Sequence, residues 1–260
     1  MIAEAAELVR ARDLLWEWTR RILQARYQQS LLGWFWAFIQ PAAQAAIFTI
    51  IFTRLVPVDT GDTPYAAFAY VATASWAFLV SSLTDMTTSL VDNMSLVNKV
   101  YFPRETLPLA CMLARLADLA VAALLFVGIA VYFRVPFFPP IVLVLPLVLL
   151  LQVLLVSGIG LATAALNVFA RDVRPLVVVV TQLWMYASPV IYPVEAVPQA
   201  YRGLYRLNPM VGILEGYRDL LLKQRLPGSD LLTSAVVAVA IFGFGYWFFK
   251  RVEFKFADIV

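Results

Sequence analysis

The chain has 260 residues, of which 62% are hydrophobic and 14% are charged. A soluble domain carries roughly 25% charged residues, so this composition excludes an ordinary soluble domain and predicts several membrane spans. Histidine is absent and Cys111 is the only cysteine. These two facts exclude Ser-His-Asp and Cys-His catalysis, zinc sites of the His/Cys kind and a disulfide within the chain.

The N-terminal segment predicts an amphipathic helix over residues 5–31. Apolar residues recur at steps of three and four, and charged or amide side chains fill the other side. The recurring apolar residues are Leu8, Ala11, Leu15, Trp18, Ile22 and Ala25. Such a helix either packs on a soluble core or lies in the membrane plane. Because the composition leaves no soluble core, we expect it at the membrane interface. Glu4 and Glu7 make a signal peptide unexpected there.

Six stretches are apolar enough to cross about 30 Å of hydrocarbon, which takes about 20 residues. They lie at about residues 33–54, 64–90, 110–133, 140–169, 176–194 and 231–250. Pro189 and Pro193 break the far end of the fifth stretch. Six spans place both termini on one side. The larger share of arginine and lysine falls on that side, which is therefore the expected cytoplasmic side.

Two further stretches are too polar to be ordinary spans. Residues 92–105 are expected at the cytoplasmic surface. Residues 195–226 contain Asn208 and Pro209, which predict a helix start with asparagine as the N-cap and proline at the first helical position. An apolar stripe follows, with charged residues opposite. We therefore expect a helix or a re-entrant pair held at the surface or against other spans.

Few ionisable residues fall inside the predicted spans. Asp85 ends the second span, and Arg115 and Asp118 lie three residues apart at the start of the third. Proton-coupled transporters usually place carboxylates near the middle of the membrane. These residues lie near its cytoplasmic edge, where a structural ion pair and a functional one both fit. The sequence has no glycine-rich phosphate-binding loop, so ATP hydrolysis by this chain is not expected.

Five stretches resemble those of polysaccharide-exporting ABC-2 permeases, the membrane subunits of ATP-driven exporters of O-antigen, capsule or teichoic acid. They are RYQQSLLGWFWAFIQP (residues 26–41), LVNKVYFPRE (96–105), NVFARDV (167–173), WMYASPVIYP (184–193) and NPM (208–210). Their order along the chain is that of the family. The resemblance implies an all-α membrane protein with six transmembrane helices, an N-terminal interface helix and a re-entrant helical pair before the last span.

The same resemblance implies a bacterial inner-membrane permease with both termini in the cytoplasm. It would work as a homodimer, together with two copies of an ABC ATP-binding subunit. ATP and Mg²⁺ would be bound by that subunit, and neither a cofactor nor nucleic acid is expected on this chain. The implied substrate is an O-antigen-like polysaccharide linked to a polyprenyl diphosphate, and membrane lipid is a further partner.

The resemblance also implies four sets of functional residues. The segment 92–105 would couple to the ATPase through Asn93, Leu96, Lys99, Tyr101, Phe102 and Arg104. The cytoplasmic substrate entrance would comprise Arg26, Leu32, Gly33, Trp34, Trp36 and Arg115. The channel aromatics would be Phe35, Trp76, Trp184, Tyr186 and Tyr192. The periplasmic gate, with its helices over 195–226, would include Pro189, Pro193, Tyr201, Asn208 and Pro209.

Two of these sets, the channel aromatics and the entrance arginines, also have a plainer interpretation. The aromatic rings fit an ordinary interfacial belt, and the arginines fit positive-inside anchoring as well as bidentate binding of a diphosphate. An ABC-2 exporter of a small lipid or drug is the alternative function. A membrane enzyme acting on prenyl-linked sugars is disfavoured, because the chain lacks histidine and a paired-carboxylate motif.

Overall fold

The computed structural model describes residues 11–28, 33–61, 63–100, 102–135 and 140–258. The described residues are mainly α-helical and include no β-strand, which confirms the predicted all-α class. In chain order the helices are α1 (Arg12–Tyr27), α2 (Trp36–Ile50), α3 (Tyr65–Asp92), α4 (Met94–Lys99), α5 (Thr106–Tyr132), α6 (Leu145–Phe169), α7 (Val173–Tyr186), α8 (Gln199–Tyr205), α9 (Pro209–Leu221) and α10 (Ser229–Val252).

Short irregular turns extend several of these helices. Gly33–Phe35 leads into α2, and the π-helical turn Ile51–Leu55 continues it. Pro140–Val144 leads into α6, and Glu253–Asp258 follows α10. Four helical stretches of the described chain are long and apolar enough to cross a membrane: Tyr65–Asp92, Thr106–Tyr132, Ile141–Phe169 and Ser229–Phe256.

The fifth predicted span differs from the helix found in its place. The sequence predicts a span over about 176–194, whereas α7 covers Val173–Tyr186 and has only 14 residues. The chain then turns through Pro189 and Pro193, because proline lacks the amide hydrogen that a continuing helix needs. The segment over 195–226 contains α8 and α9.

Helix α3 lies at the centre of the fold and packs against α2, α5, α6, α7 and α9. Most of its residues are buried, and alanines at 67, 69 and 72 are fully enclosed. Small side chains allow helix backbones to approach closely where lipid supplies no hydrophobic driving force. The abundance of alanine in this stretch therefore explains why it takes the central position.

A buried hydrogen-bond cluster ties α3 to α6 and α9. The Gln152 side chain donates to the Ser75 carbonyl oxygen at 2.8 Å. Its own amide oxygen accepts hydrogen bonds from the Ser75 hydroxyl at 3.2 Å and the Tyr217 hydroxyl at 2.8 Å. Because a buried polar group is costly unless it is satisfied, these three residues fix how the three helices meet.

Helices α6 and α10 cross with their backbones in direct contact at two glycines. A Cβ atom added to Gly158 would lie 2.6 Å from the Phe242 Cα, and one added to Gly245 would overlap the Gly158 carbonyl oxygen. By contrast, nothing lies within 4 Å of the corresponding position at Gly243. The crossing therefore requires glycine at 158 and 245 but not at 243.

This difference makes a matched pair of substitutions informative. We expect Gly245→Ala to lower the free energy of unfolding by about 1–3 kcal/mol, because the added methyl group forces two backbones apart. Gly243→Ala, two residues away on the same helix, should be neutral or stabilising by up to about 1 kcal/mol, because alanine is the better helix former. Denaturant unfolding in detergent measures both, and equal effects would contradict the crossing described here.

Candidate functional site

Four charged residues from three helices meet beside the start of α2, and we name Arg26, Asp85, Arg115 and Asp118 the entrance network. Arg26 of α1 donates to Asp118 of α5 and to Asp85 of α3, each at 2.8 Å. Arg115 of α5 donates to Asp85 at 2.7 and 3.2 Å and to Asp118 at 3.1 Å. Both carboxylates therefore bind both guanidinium groups, and two positive charges balance two negative ones.

The tyrosine next to Arg26 completes the arrangement. The Tyr27 hydroxyl donates to Asp118 Oδ1. Burial, followed by the hydrogen bond and negative charge of Asp118, raises the pKa of Tyr27 to about 12. The hydroxyl therefore keeps its proton at neutral pH and remains a donor. Arg26 and Tyr27 thus attach the C-terminal end of α1 through polar contacts to residues 59 to 92 positions away in the sequence.

A cavity of about 200 Å³ lies against the entrance network. Its lining includes Arg26, Trp36, Arg115 and Asp118, and the remaining wall is formed mainly by small and apolar residues of α2, α3 and α5. Trp36 is 54% exposed at its rim. The structure therefore brings three of the predicted entrance residues together: Arg26, Trp36 and Arg115.

The other predicted entrance residues are only partly described. Leu32 and the side chain of Trp34 lie outside the described residues. Gly33 has φ +49°, a conformation that glycine adopts at little cost and other residues adopt rarely. No atom lies within 4 Å of the position that a Cβ would take. A side chain at 33 would thus strain the backbone without meeting a neighbour.

The five predicted channel aromatics are spread over the length of α3 rather than gathered in one place. Phe35 is 59% exposed beside Trp36, near the Asp85 end of α3. Tyr192 lies at the opposite end, where the Tyr65 hydroxyl donates to the neighbouring Ile191 carbonyl. A helix of this length spans roughly 40 Å at 1.5 Å per residue. The remaining three aromatics lie along α3 and α7.

Trp76 and Trp184 form a ring pair within this set. Their centroids are 5.7 Å apart in an edge-to-face arrangement. The indole nitrogen of Trp184 donates to Asn208 Oδ1 at 2.9 Å. The Tyr192 hydroxyl donates to the Tyr186 carbonyl oxygen at 2.8 Å. These rings therefore hold α7 and the turn after it against α3 and α9, whatever else they contact.

Asn208 joins the turn after α7 to the start of α9. Its Oδ1 accepts from the Met210 amide, so it is the N-cap, and Pro209 takes the first helical position, which confirms the predicted helix start. Its Nδ2 donates to the Ala187 carbonyl and the Ser188 hydroxyl, both at 2.9 Å. Of the remaining gate residues, Tyr201 is exposed on α8 and Pro193 precedes the turn Val194–Ala196.

Arg218 is a functional candidate that sequence reasoning missed. Its side chain is 0% exposed and donates to the carbonyl oxygens of Pro189 at 2.6 Å and Val190 at 3.0 Å. It also binds Glu215 at 3.0 Å and lies 3.5 Å from the Phe68 ring centroid. The sequence places Arg218 on a polar face of α9, but nearly all of that helix is buried, because its charges pair with each other. The sequence signal that could have found it is the spacing of three residues between Glu215 and Arg218, which puts an acid and a base on the same face of the helix.

The predicted coupling segment contains the short helix α4. Lys99 at its end is exposed, Leu96 and Phe102 are half-buried, and the Asn93 side chain donates to the Ser89 carbonyl at 2.8 Å. Tyr101 lies outside the described residues. Arg104 is directed inward: its guanidinium donates to the Glu253 carbonyl oxygen and lies 5.8 Å from the Phe256 ring.

Comparison with known proteins identifies the class. Residues 13–222 match the family model described as ABC-2 type transporter, so the chain belongs to that family. Together with the long apolar helices, this makes it a multi-pass membrane protein.

Individual relatives extend the likeness along the whole chain. It is 29% identical over 265 residues to the "O-antigen export system permease protein RfbA" of Myxococcus xanthus, covering all of both chains. It is 26% identical over 249 residues to the protein of the same name from Klebsiella pneumoniae, covering 95% of each. It is 23% identical over 204 residues to the "Polysialic acid transport protein KpsM" of Escherichia coli, covering 76% of this chain and 77% of that one.

The entrance network predicts a selective effect of charge removal on α1. Arg26→Gln leaves two carboxylates facing one arginine in a partly buried site, so we expect a loss of about 1–3 kcal/mol in the free energy of unfolding. Arg20→Gln removes an equal charge from an exposed position on the same helix and should change it by less than about 0.5 kcal/mol. Denaturant unfolding in detergent measures both, and similar losses would argue against the network.

The Arg218 contacts predict a local effect on the turn after α7. Arg218→Lys keeps the charge but not the fork that binds two carbonyls. We expect amide exchange over residues 187–193 to become at least about tenfold faster, which corresponds to a loss of about 1.4 kcal/mol. Arg225→Lys is the control, because the Arg225 side chain is 59% exposed and its guanidinium pairs with Asp219 rather than with the turn. Hydrogen–deuterium exchange with mass spectrometry measures both, and unchanged exchange over residues 187–193 in Arg218→Lys would contradict a role of Arg218 in holding this turn.

Proposed function

We propose that this chain is the permease subunit of an ABC exporter that moves a polysaccharide, carried on a polyprenyl diphosphate, from the cytoplasm across the bacterial inner membrane. The full-length likeness to proteins named O-antigen export permeases supports the polysaccharide as substrate class. The likeness to a polysialic acid transport protein supports the same class. An O-antigen-like polymer is the form we favour.

The observation that carries the proposal is the cavity beside the entrance network. Arginine binds phosphate oxygens bidentately, and Arg26 and Arg115 both line this cavity, with Trp36 at its rim. A diphosphate would compete with Asp85 and Asp118 for the two guanidinium groups. Because the network is already neutral, the diphosphate gains little net attraction. Binding of that kind is weak enough to allow release, which an exporter needs.

We further propose that the ATP-binding partner docks on the cytoplasmic surface around α4. The family assignment implies such a partner, and ATP with Mg²⁺ would be held there, so this chain is a transport subunit rather than an enzyme. The exposed Lys99 and Val100 are available for contact with it. Both termini lie on that cytoplasmic side in this proposal, consistent with the position of Lys250 and Arg251 at the end of α10.

We also propose six membrane crossings and a homodimer. The two additional crossings would be Gly33–Leu55, through α2 and its flanking turns, and α7 with the turn that follows. Helix α7 is short for a lipid-exposed span. It exposes an apolar stripe at three- and four-residue steps, which a second copy would cover. The stripe consists of Leu176, Val179, Val180, Leu183 and Tyr186.

Reconstitution tests this function against export of a small lipid or drug. We expect proteoliposomes containing the chain and its ATP-binding partner to move a polyprenyl-diphosphate-linked glycan in an ATP-dependent manner. The partner with its phosphate-loop lysine replaced should give no transport. Cells lacking the chain should accumulate the lipid-linked glycan on the cytoplasmic side. Movement of a small lipid without the glycan, and no accumulation in cells, would favour the alternative.

A further inference from the structure

We propose that Phe256, in the turn Glu253–Asp258 after α10, positions the coupling segment through the contact between its ring and the guanidinium of Arg104. The inference rests on the proposed function, because it assigns a role in ATPase coupling. It changes the part taken by Arg104 from a contact with the partner subunit to an internal anchor of the segment that makes the contact.

The first step is the set of contacts that Arg104 makes. Its guanidinium donates to the backbone carbonyl of Glu253, and its centre lies 5.8 Å from the Phe256 ring centroid. Both partners lie about 150 residues further along the sequence, in the turn after α10. A guanidinium held by a carbonyl and an aromatic face loses much of its freedom to reach outward. Arg104 therefore joins the end of the coupling segment to the C-terminal turn.

The second step is how Phe256 itself is held. Its side chain is 0% exposed. Its ring contacts Phe169 at the end of α6, with centroids 5.9 Å apart, and Phe249 near the end of α10, with centroids 5.8 Å apart. Edge-to-face and tilted aromatic pairs at these distances add about 0.5–1.5 kcal/mol each beyond burial. Phe256 thus connects two membrane helices to the coupling segment.

A salt bridge beside it supports the same connection. Lys250 of α10 binds Glu105 at 2.8 Å, and Glu105 is 1% exposed at the start of α5. Lys250 also binds Glu253 at 3.2 Å. Because a buried carboxylate needs its counter-ion close by, this pair fixes the residue next to Arg104. Residues 104 and 105 are therefore both bound to the last turns of the chain.

The consequence concerns how movement of the ATP-binding partner reaches the spans. A partner that moves α4 pulls on Arg104 and, through Phe256, on the ends of α6 and α10. The turn also contains a built-in contrast: Phe254, two residues earlier, is 63% exposed. If the turn contributed only a general apolar surface, replacing either phenylalanine would lower coupling to the ATPase. If Phe256 is the anchor, replacing Phe256 lowers coupling and replacing Phe254 does not.

The test compares Phe256→Ala with Phe254→Ala in the complete permease–ATPase complex. We expect Phe256→Ala to lower permease-stimulated ATP hydrolysis about fivefold while co-purification of the partner is kept, and Phe254→Ala to match the wild type. Phe256→Leu retains apolar volume and should recover most of the stimulation. Arg104→Ala should lower stimulation by a similar factor, and the Arg104→Ala/Phe256→Ala double variant should fall no further than either single variant.

The alternatives give different results. Independent roles would multiply, so a double variant reduced about 25-fold would overturn the proposal. So would equal behaviour of the two phenylalanine variants, or a full effect of Arg104→Ala beside none of Phe256→Ala. If Phe256→Ala does not assemble, Phe256→Val replaces it in the cycle with Arg104→Ala, because valine removes more apolar volume than leucine and less than alanine. Failure of the proposed coupling to an ATP-binding partner is separately visible, because the wild-type chain would then stimulate no partner at all, and failure of the proposed substrate class is visible in the glycan transport assay.

Discussion

One ionic arrangement sets the position of the interface helix: two arginines and two aspartates that share a partly buried site. Removing a charge from water costs several kcal/mol, and the loss is offset only when each charge meets a partner at hydrogen-bond distance. Arg26 and Arg115 meet Asp85 and Asp118 at 2.7–3.1 Å in the ion pairs that join them. Because Arg26 is the residue of this network that lies on α1, the helix cannot slide along α3 or α5 without breaking the two ion pairs that Arg26 makes. The cavity next to the network, and any entrance function it has, depends on that fixed position.

A second buried arginine acts at the opposite end of α3. Arg218 binds the carbonyl oxygens of Pro189 and Val190 and lies over Phe68, three residues after the first residue of α3. The central helix is thus bordered by arginine contacts at both ends, one ionic and shared among three helices, the other directed at a turn broken by prolines. Between them its small residues allow neighbouring helices to pack closely. The proposed entrance and the proposed gate therefore lie at opposite ends of one buried helix.

Features encoded by neighbouring residues were predictable from sequence, and features that join distant ones were not. The all-α class followed from apolar composition, and the start of α9 followed from Asn208 and Pro209, because capping is local. The sequence does not predict the end of α7 at Tyr186, although Pro189 and Pro193 indicate a break beyond it. The burial of Arg218 depends on carbonyl groups 28 and 29 residues away. The resemblance assigns Arg104 to the predicted coupling segment, but it gives no sign of the partner at Glu253, 149 residues further on. Periodicity reports which face a residue occupies and says nothing about what covers that face.

A double-mutant cycle between Arg26 and Asp118 tests the central claim most directly. The free energy of unfolding in detergent would be measured for the wild type, Arg26→Ala, Asp118→Ala and the double variant. The account predicts a coupling energy of about 1–3 kcal/mol, because each single variant leaves unbalanced charge in the site and the double variant restores the balance between Arg115 and Asp85. Strictly additive effects, with a coupling energy of less than about 0.3 kcal/mol, would contradict it.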